Sequence, residues 1–90
     1  MSLTIQHLQD CFKKALEEDA PYIGVAVRIP NIVRAEVIIN KTSNFGEKLK
    51  YYQEAYDKNL RLKSNTDIQI VAFAFGNSFA DIEKRLKPIL

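Results

Sequence analysis

Residues 67–75 read Asp-Ile-Gln-Ile-Val-Ala-Phe-Ala-Phe, and Gly76-Asn77-Ser78 follows. β-Branched and aromatic residues fill the run and the Gly-Asn-Ser stop closes it, making it the most strand-like stretch of the chain. Strict alternation puts Ile68, Ile70, Ala72 and Ala74 on one face and Gln69, Val71, Phe73 and Phe75 on the other. Both faces are apolar, which predicts an inner strand covered on both sides.

Working outward, Ser64–Asp67 is a polar loop, and before it the spacing predicts the longest helix, from Asn44 to about Leu62. Asn44 with Glu47 three residues on fits a cap and its acidic partner. Phe45, Leu49, Tyr52, Tyr56 and Leu60 form its apolar stripe. Further upstream, Tyr22–Pro30 and Ile32–Lys41 alternate with period two and read as strands joined by a Pro30-Asn31 turn. Ile23, Val25, Val27 and Ile29 are expected to share the core face with Val33, Ala35, Val37 and Ile39. At the N-terminal end, Ile5, Leu8, Phe12, Ala15 and Leu16 mark a helix from Thr4 to Glu18, ended by Pro21. Downstream, Ser78 and Asp81 cap a last helix, Phe79 to about Lys87, that Pro88 stops.

These elements predict an α+β fold, an α-β-β-α-β-α two-layer sandwich with a three-stranded mixed sheet, as a single small domain over residues 1–90. The long helix returns the chain across the sheet, so the third strand is expected parallel to the second.

With 47% hydrophobic and 27% charged residues among 90, the chain has an ordinary globular composition. A net charge of +2 is far from the dense positive field of a dedicated DNA binder. Cys11 is the only cysteine, so no internal disulfide forms, which favours a reducing compartment. No apolar run approaches the roughly 20 residues that span a bilayer, and the N-terminal stretch lacks a basic-then-apolar order. The expectation is a soluble cytoplasmic protein with no membrane partner. Its Lys-, Asn- and Ile-rich usage resembles that of bacterial and phage proteins.

Chemistry finds few footholds. His7 and Cys11 lie four apart on the first helix and can meet on one face. A zinc site needs three or four protein ligands, and only Asp10 or a second subunit could complete this one. The expectation is therefore no metal and no cofactor. The same pair lacks a helix N-terminus or basic cluster to activate a thiolate, and the serines sit at caps and turns. Gly24, Gly46 and Gly76 form no phosphate-binding loop. No catalytic residue is assigned, and the chain reads as a non-enzyme.

Two binding readings remain. The favoured one is self-association as a homodimer, or contact with another protein, through the reverse sheet face. That face is expected to carry Tyr22, Arg28, Arg34 and Glu36, the aromatic and arginine mixture that interfaces enrich. The alternative is weak nucleic-acid binding on the long helix through Lys48, Lys50, Tyr51, Lys58 and Arg61, with Tyr51 free to stack on a base. Lys50–Glu54, Glu54–Lys58 and Asp57–Arg61 stand at opposite-sign i, i+4 spacing and would neutralise that face. The αββαβ order is similar to that of the second type of RNA-binding KH domain, but the G-x-x-G loop of that module is absent.

Overall fold

The computed structural model describes residues 3–89. Helix α1 (Ile5–Glu17) leads into strands β1 (Tyr22–Arg28) and β2 (Glu36–Lys41). A single 3₁₀ turn (Thr42–Asn44) then opens helix α2 (Phe45–Ala55), and β3 (Arg61–Leu62), β4 (Asn65–Gly76) and helix α3 (Phe79–Leu86) follow. The fold is α+β. The sheet is four-stranded in the order β2-β1-β4-β3, and every neighbouring pair is antiparallel. This corrects the expected three-stranded mixed sheet. β4 does run in the direction of β2, but β1 lies between them, so no parallel ladder forms.

The extra strand comes from the end of the expected long helix. The Asp57 carboxylate accepts the backbone N–H of Asn59 at 2.8 Å and of Arg61 at 3.0 Å, which turns the chain out of the helix. Leu60 takes a left-handed φ of 63° and stays fully buried. Arg61–Leu62 then pairs back on β4 as a short edge strand. Tyr56 and Leu60 are buried as their stripe predicts, although neither is helical. The first two strands are also shorter than expected. Pro30 and Asn31 form a tight turn, with the Ile32 N–H donating to the Ile29 oxygen at 3.2 Å and Asn31 at φ 69°. Residues 32–35 stay outside the ladder.

One irregularity decides how the sheet is covered. Ala26 pairs with Ala72 but Val27 pairs with Ile70, so Val71 is an extra residue, a β-bulge. Past the bulge the alternation of β4 changes phase. Ile68, Ile70, Phe73 and Phe75 therefore pack together with Ile23, Val25 and Val27 against α1 and α2. Val71, Ala72 and Ala74 pack with Ala26 against Ile82 and Leu86 of α3. The bulge sorts large side chains to one face and small ones to the other, which strict alternation does not do. Helices on both faces make three layers rather than two.

Thr4 precedes α1, and its N–H donates to His7 Nδ1 at 3.0 Å, so an imidazole stands where a capping box usually has a carboxylate. In β2 it is Asn40 that turns toward α2, 1% exposed. Its Nδ2 donates to the oxygens of Ile23 (3.0 Å) and Ile38 (3.2 Å), and its Oδ1 accepts the Tyr52 hydroxyl at 3.2 Å. Burying this amide costs little because each of its polar atoms is bonded.

Candidate functional site

The β1–β2 register places Gly24 opposite Ile39, Ala26 opposite Val37 and Val27 opposite Glu36. Directly opposed residues share a face. Val37 and Ile39 thus lie on the α3 side with Tyr22, Gly24, Ala26 and Arg28, and not with Ile23 and Val25. Glu36 and Ile38 point to the other side. The four interface residues read from the sequence are consequently divided. Tyr22 and Arg28 share the α3 face, Glu36 lies on the opposite one, and Arg34 sits in the connection between β1 and β2. Arg28, Arg34 and Glu36 are exposed, and Tyr22 is half-buried beneath Phe79, its ring centroid 5.1 Å away at 67°.

The α3 face carries a groove. Val37 and Ile39 of β2 form one wall, Phe79, Ile82 and Glu83 of α3 the other, and the cavity between them is about 230 Å³. A depression of about 300 Å³, lined by Arg34, Ala80, Glu83, Lys84 and Lys87, adjoins it at Glu83. Three cations face one carboxylate there. Local chemistry positions α3 beside β1. The Ser78 hydroxyl accepts the Asp81 N–H at 3.1 Å, capping the helix. The Asp81 carboxylate accepts the Asn77 N–H at 3.2 Å and pairs with Arg85 at 3.3 Å. The Asn77 bond first, and Arg85 after it, hold this carboxyl below its usual range. Gly24 admits the helix closely, since a Cβ there would run into Ile82 Cγ2. β2 is also an edge strand, with β1 alone beside it among the described residues.

Phe79 opens α3 three residues before Ile82, and while Ile82 and Leu86 are buried it is 57% exposed at the mouth of the groove. Sequence pattern alone does not mark Lys84, Lys87, Val37 or Ile39 as part of a site. The Lys residues are an ordinary last helical turn in sequence, and the β2 phase depends on Asn40.

The basic residues of the alternative reading are spread out. Lys48, Lys50 and Tyr51 belong to α2, but Lys58 lies in the turn after it and Arg61 in β3. The spacings Glu54–Lys58 and Asp57–Arg61 lose their helical meaning because α2 ends at Ala55. Arg61 donates instead to the Thr66 oxygen at 3.1 Å. Among the described residues Arg85–Asp81 is the one ion pair.

His7, Asp10 and Cys11 do come together, with Lys14, in a cleft of about 290 Å³ beside Phe73–Phe75 and Arg85. His7 Nδ1 is occupied by the Thr4 N–H. Burial pushes the Cys11 thiol from 9.0 up to about 11, away from reactive thiolate character. Among the described residues no group of three or more His, Cys, Asp or Glu is placed to hold a metal ion. No helix among them is long and apolar enough to cross a membrane. Comparison with protein-family models, with curated proteins and with solved structures gives no match.

Proposed function

We propose that this protein acts by protein–protein contact rather than catalysis, and that an extended segment of a partner protein adds to β2 and seats its side chains against α3. The observation that carries this reading is an unpaired strand edge lying along an apolar groove, with Val37, Ile39, Phe79 and Ile82 on its walls. Main-chain bonds to an open edge supply affinity, and pockets for alternate side chains supply specificity. A six-residue strand offers about 20 Å of edge. Phe79 stands at the mouth as an exposed aromatic anchor, the residue class that dominates binding energy. Arg34, Lys84 and Lys87, against the single Glu83, favour a partner whose outer side chains are acidic. A reducing cytoplasm suits a chain with one cysteine.

The test is fluorescence anisotropy with two labelled synthetic peptides, one alternating Val and Ile with Glu, the other with Lys. The acidic peptide is expected to bind about tenfold or more tightly; Lys84→Glu should remove most of that binding without lowering the melting temperature, and Phe79→Ala should remove it while also losing the ring contact with Tyr22. Equal binding of both peptides, or acidic-peptide binding indifferent to both substitutions, overturns the reading.

A further inference from the structure

The groove beside β2 is polarised along its length. The Phe79 ring meets Tyr22, and Tyr22 pairs with Lys41, the last residue of β2. The first turn of α3 therefore lies at the C-terminal end of β2. Ile82 follows, against Gly24, the partner of Ile39. Lys84 and Lys87 come at the end of the helix and line one depression with Arg34, which precedes β2. The cations thus gather at the N-terminal end of β2, and among the described residues none of the three is in an ion pair. Arg34 lies outside the ladder. The connection that carries it meets the end of α3, so the groove stops where the cations stand.

We propose that the segment added to β2 is the C-terminal end of the partner chain, running antiparallel to β2, with its α-carboxylate held among Arg34, Lys84 and Lys87. This inference rests on the strand-addition reading and names the part of the partner that is taken. Every ladder of the sheet is antiparallel, and that pairing is the more stable per residue. β2 runs away from the cations toward Phe79. An antiparallel segment therefore runs from Phe79 toward the cations, and its last residues arrive there. Residues opposite Ile39 and Val37 share their face and turn toward α3, with one residue between them. The main-chain carboxylate that ends the residue opposite Val37 lies about 3.3 Å further along, on the side of Arg34. A segment that continued would run into the connection carrying Arg34, whereas one that ends there leaves its charge among three cations. The arginine fork matches a carboxylate in two parallel bonds. The tail is thus apolar at its last and third-last positions. Glu83, at the junction of groove and depression, is the one carboxylate in either lining. At the opposite end Lys41 stands exposed beside Phe79.

Fluorescence anisotropy on the full chain tests it with an N-terminally labelled neutral hexapeptide ending Ile-Thr-Val, made as the free acid and as the amide, beside an amidated peptide alternating Val and Ile with Glu. The free acid is expected to bind about tenfold more tightly than its amide. Arg34→Gln or Lys84→Gln should shrink that ratio severalfold, Glu83→Gln should widen it, and Lys41→Gln should leave it unchanged. A general loss of affinity lowers both members of the ratio and does not imitate these results. Equal binding of acid and amide overturns the inference; if the Glu peptide then still binds and depends on Lys84, strand addition stands and the terminal carboxylate alone falls. A ratio that depends on Lys41 and not on Lys84 also overturns it, because the segment then runs the other way. Binding by none of the three peptides removes the inference together with the reading beneath it.

Discussion

Removing the Tyr52 hydroxyl tests the hydrogen-bonded node that sets the phase of β2. Tyr52→Phe keeps the ring, which packs between Phe12, Tyr51 and Tyr56, and deletes only the donor to Asn40 Oδ1. Asn40 is 1% exposed, so the abandoned oxygen has no route to water. An orphaned buried acceptor costs about 1–3 kcal/mol, and a bond of 3.2 Å belongs in the lower half of that range. About 1.5 kcal/mol in a domain of this size lowers the melting temperature by about 6–12 °C. Calorimetry reads the shift, and the double-mutant cycle with Asn40→Leu assigns it. In the Asn40→Leu background the hydroxyl has lost its acceptor, so adding Tyr52→Phe should cost less than it does alone, leaving a coupling of about 1 kcal/mol. Burial also pushes the Tyr52 hydroxyl from 10.0 to about 12, with Tyr56 raised in the same direction by the same cause. A folded value above the unfolded one means this stability is whole below pH 10 and is lost as pH climbs toward 12. Tyr52→Phe should blunt that alkaline loss. A variant that melts within about 1 °C of the parent, with strictly additive costs in the cycle, would refute the node.

Three further outcomes follow from the packing. Gly24→Ala drives a methyl into Ile82 Cγ2 with Val37 Cγ1 only 3.3 Å away, and should cost about 1–3 kcal/mol by urea titration; a neutral result would mean α3 does not sit as described. Deleting Val71 removes the bulge and keeps every other pairing, because Ile70 and Ala72 then follow one another opposite Val27 and Ala26 and Phe73 and Phe75 stay on the α1 face; the circular dichroism spectrum should remain native-like with a cooperative melt, and an unfolded chain would contradict this register. Cys11 should alkylate slowly at pH 8 in the folded protein and at an ordinary thiol rate in urea, with stability falling between pH 9 and 11 as the thiol ionises; equal rates in both states would contradict its burial.

The elements that were legible in sequence are those set by local chemistry. α1 and α3 match their expected spans to within a residue at each end, because Thr4 and Ser78 cap them and Pro21 and Pro88 follow. The early end of α2 also left a mark, the Asp57-Lys58-Asn59 cluster, whose short polar side chains compete with the helical backbone. The apolar stripe through Leu60 outweighed it, since burial at Tyr56 and Leu60 is the same whether they are helical or not. The phase of β2 left no mark. Alternation says which residues travel together but not which layer they face, and here a fully buried Asn40 wins that place from Ile39 by finding Tyr52 twelve residues on. That phase separates Glu36 from Tyr22 and Arg28, while Arg34 falls outside the ladder.

The unequal faces explain why the molecule has surfaces to offer at all. The bulge reserves the large side chains of β4 for α1 and α2, and leaves Ala72, Ala74, Gly24 and Ala26 on the other face. Small residues there draw α3 down close, but α3 is a single helix. A helix is about 10 Å across and strands are about 4.8 Å apart, so one helix covers two strands. It packs mainly on β4 and β1. Val37 and Ile39 of β2 pack at its margin and stay half-buried, and the wall of the groove is what remains. The half of β4 beyond Ile70, which β3 leaves unpaired, has the same origin in economy of chain, since the residues that might have extended β3 along it are spent on the Asp57–Leu60 turn. Among the described residues three helices cover the middle of the sheet and leave its edges bare, and apolar burial at an edge would add to the stability of so small a core.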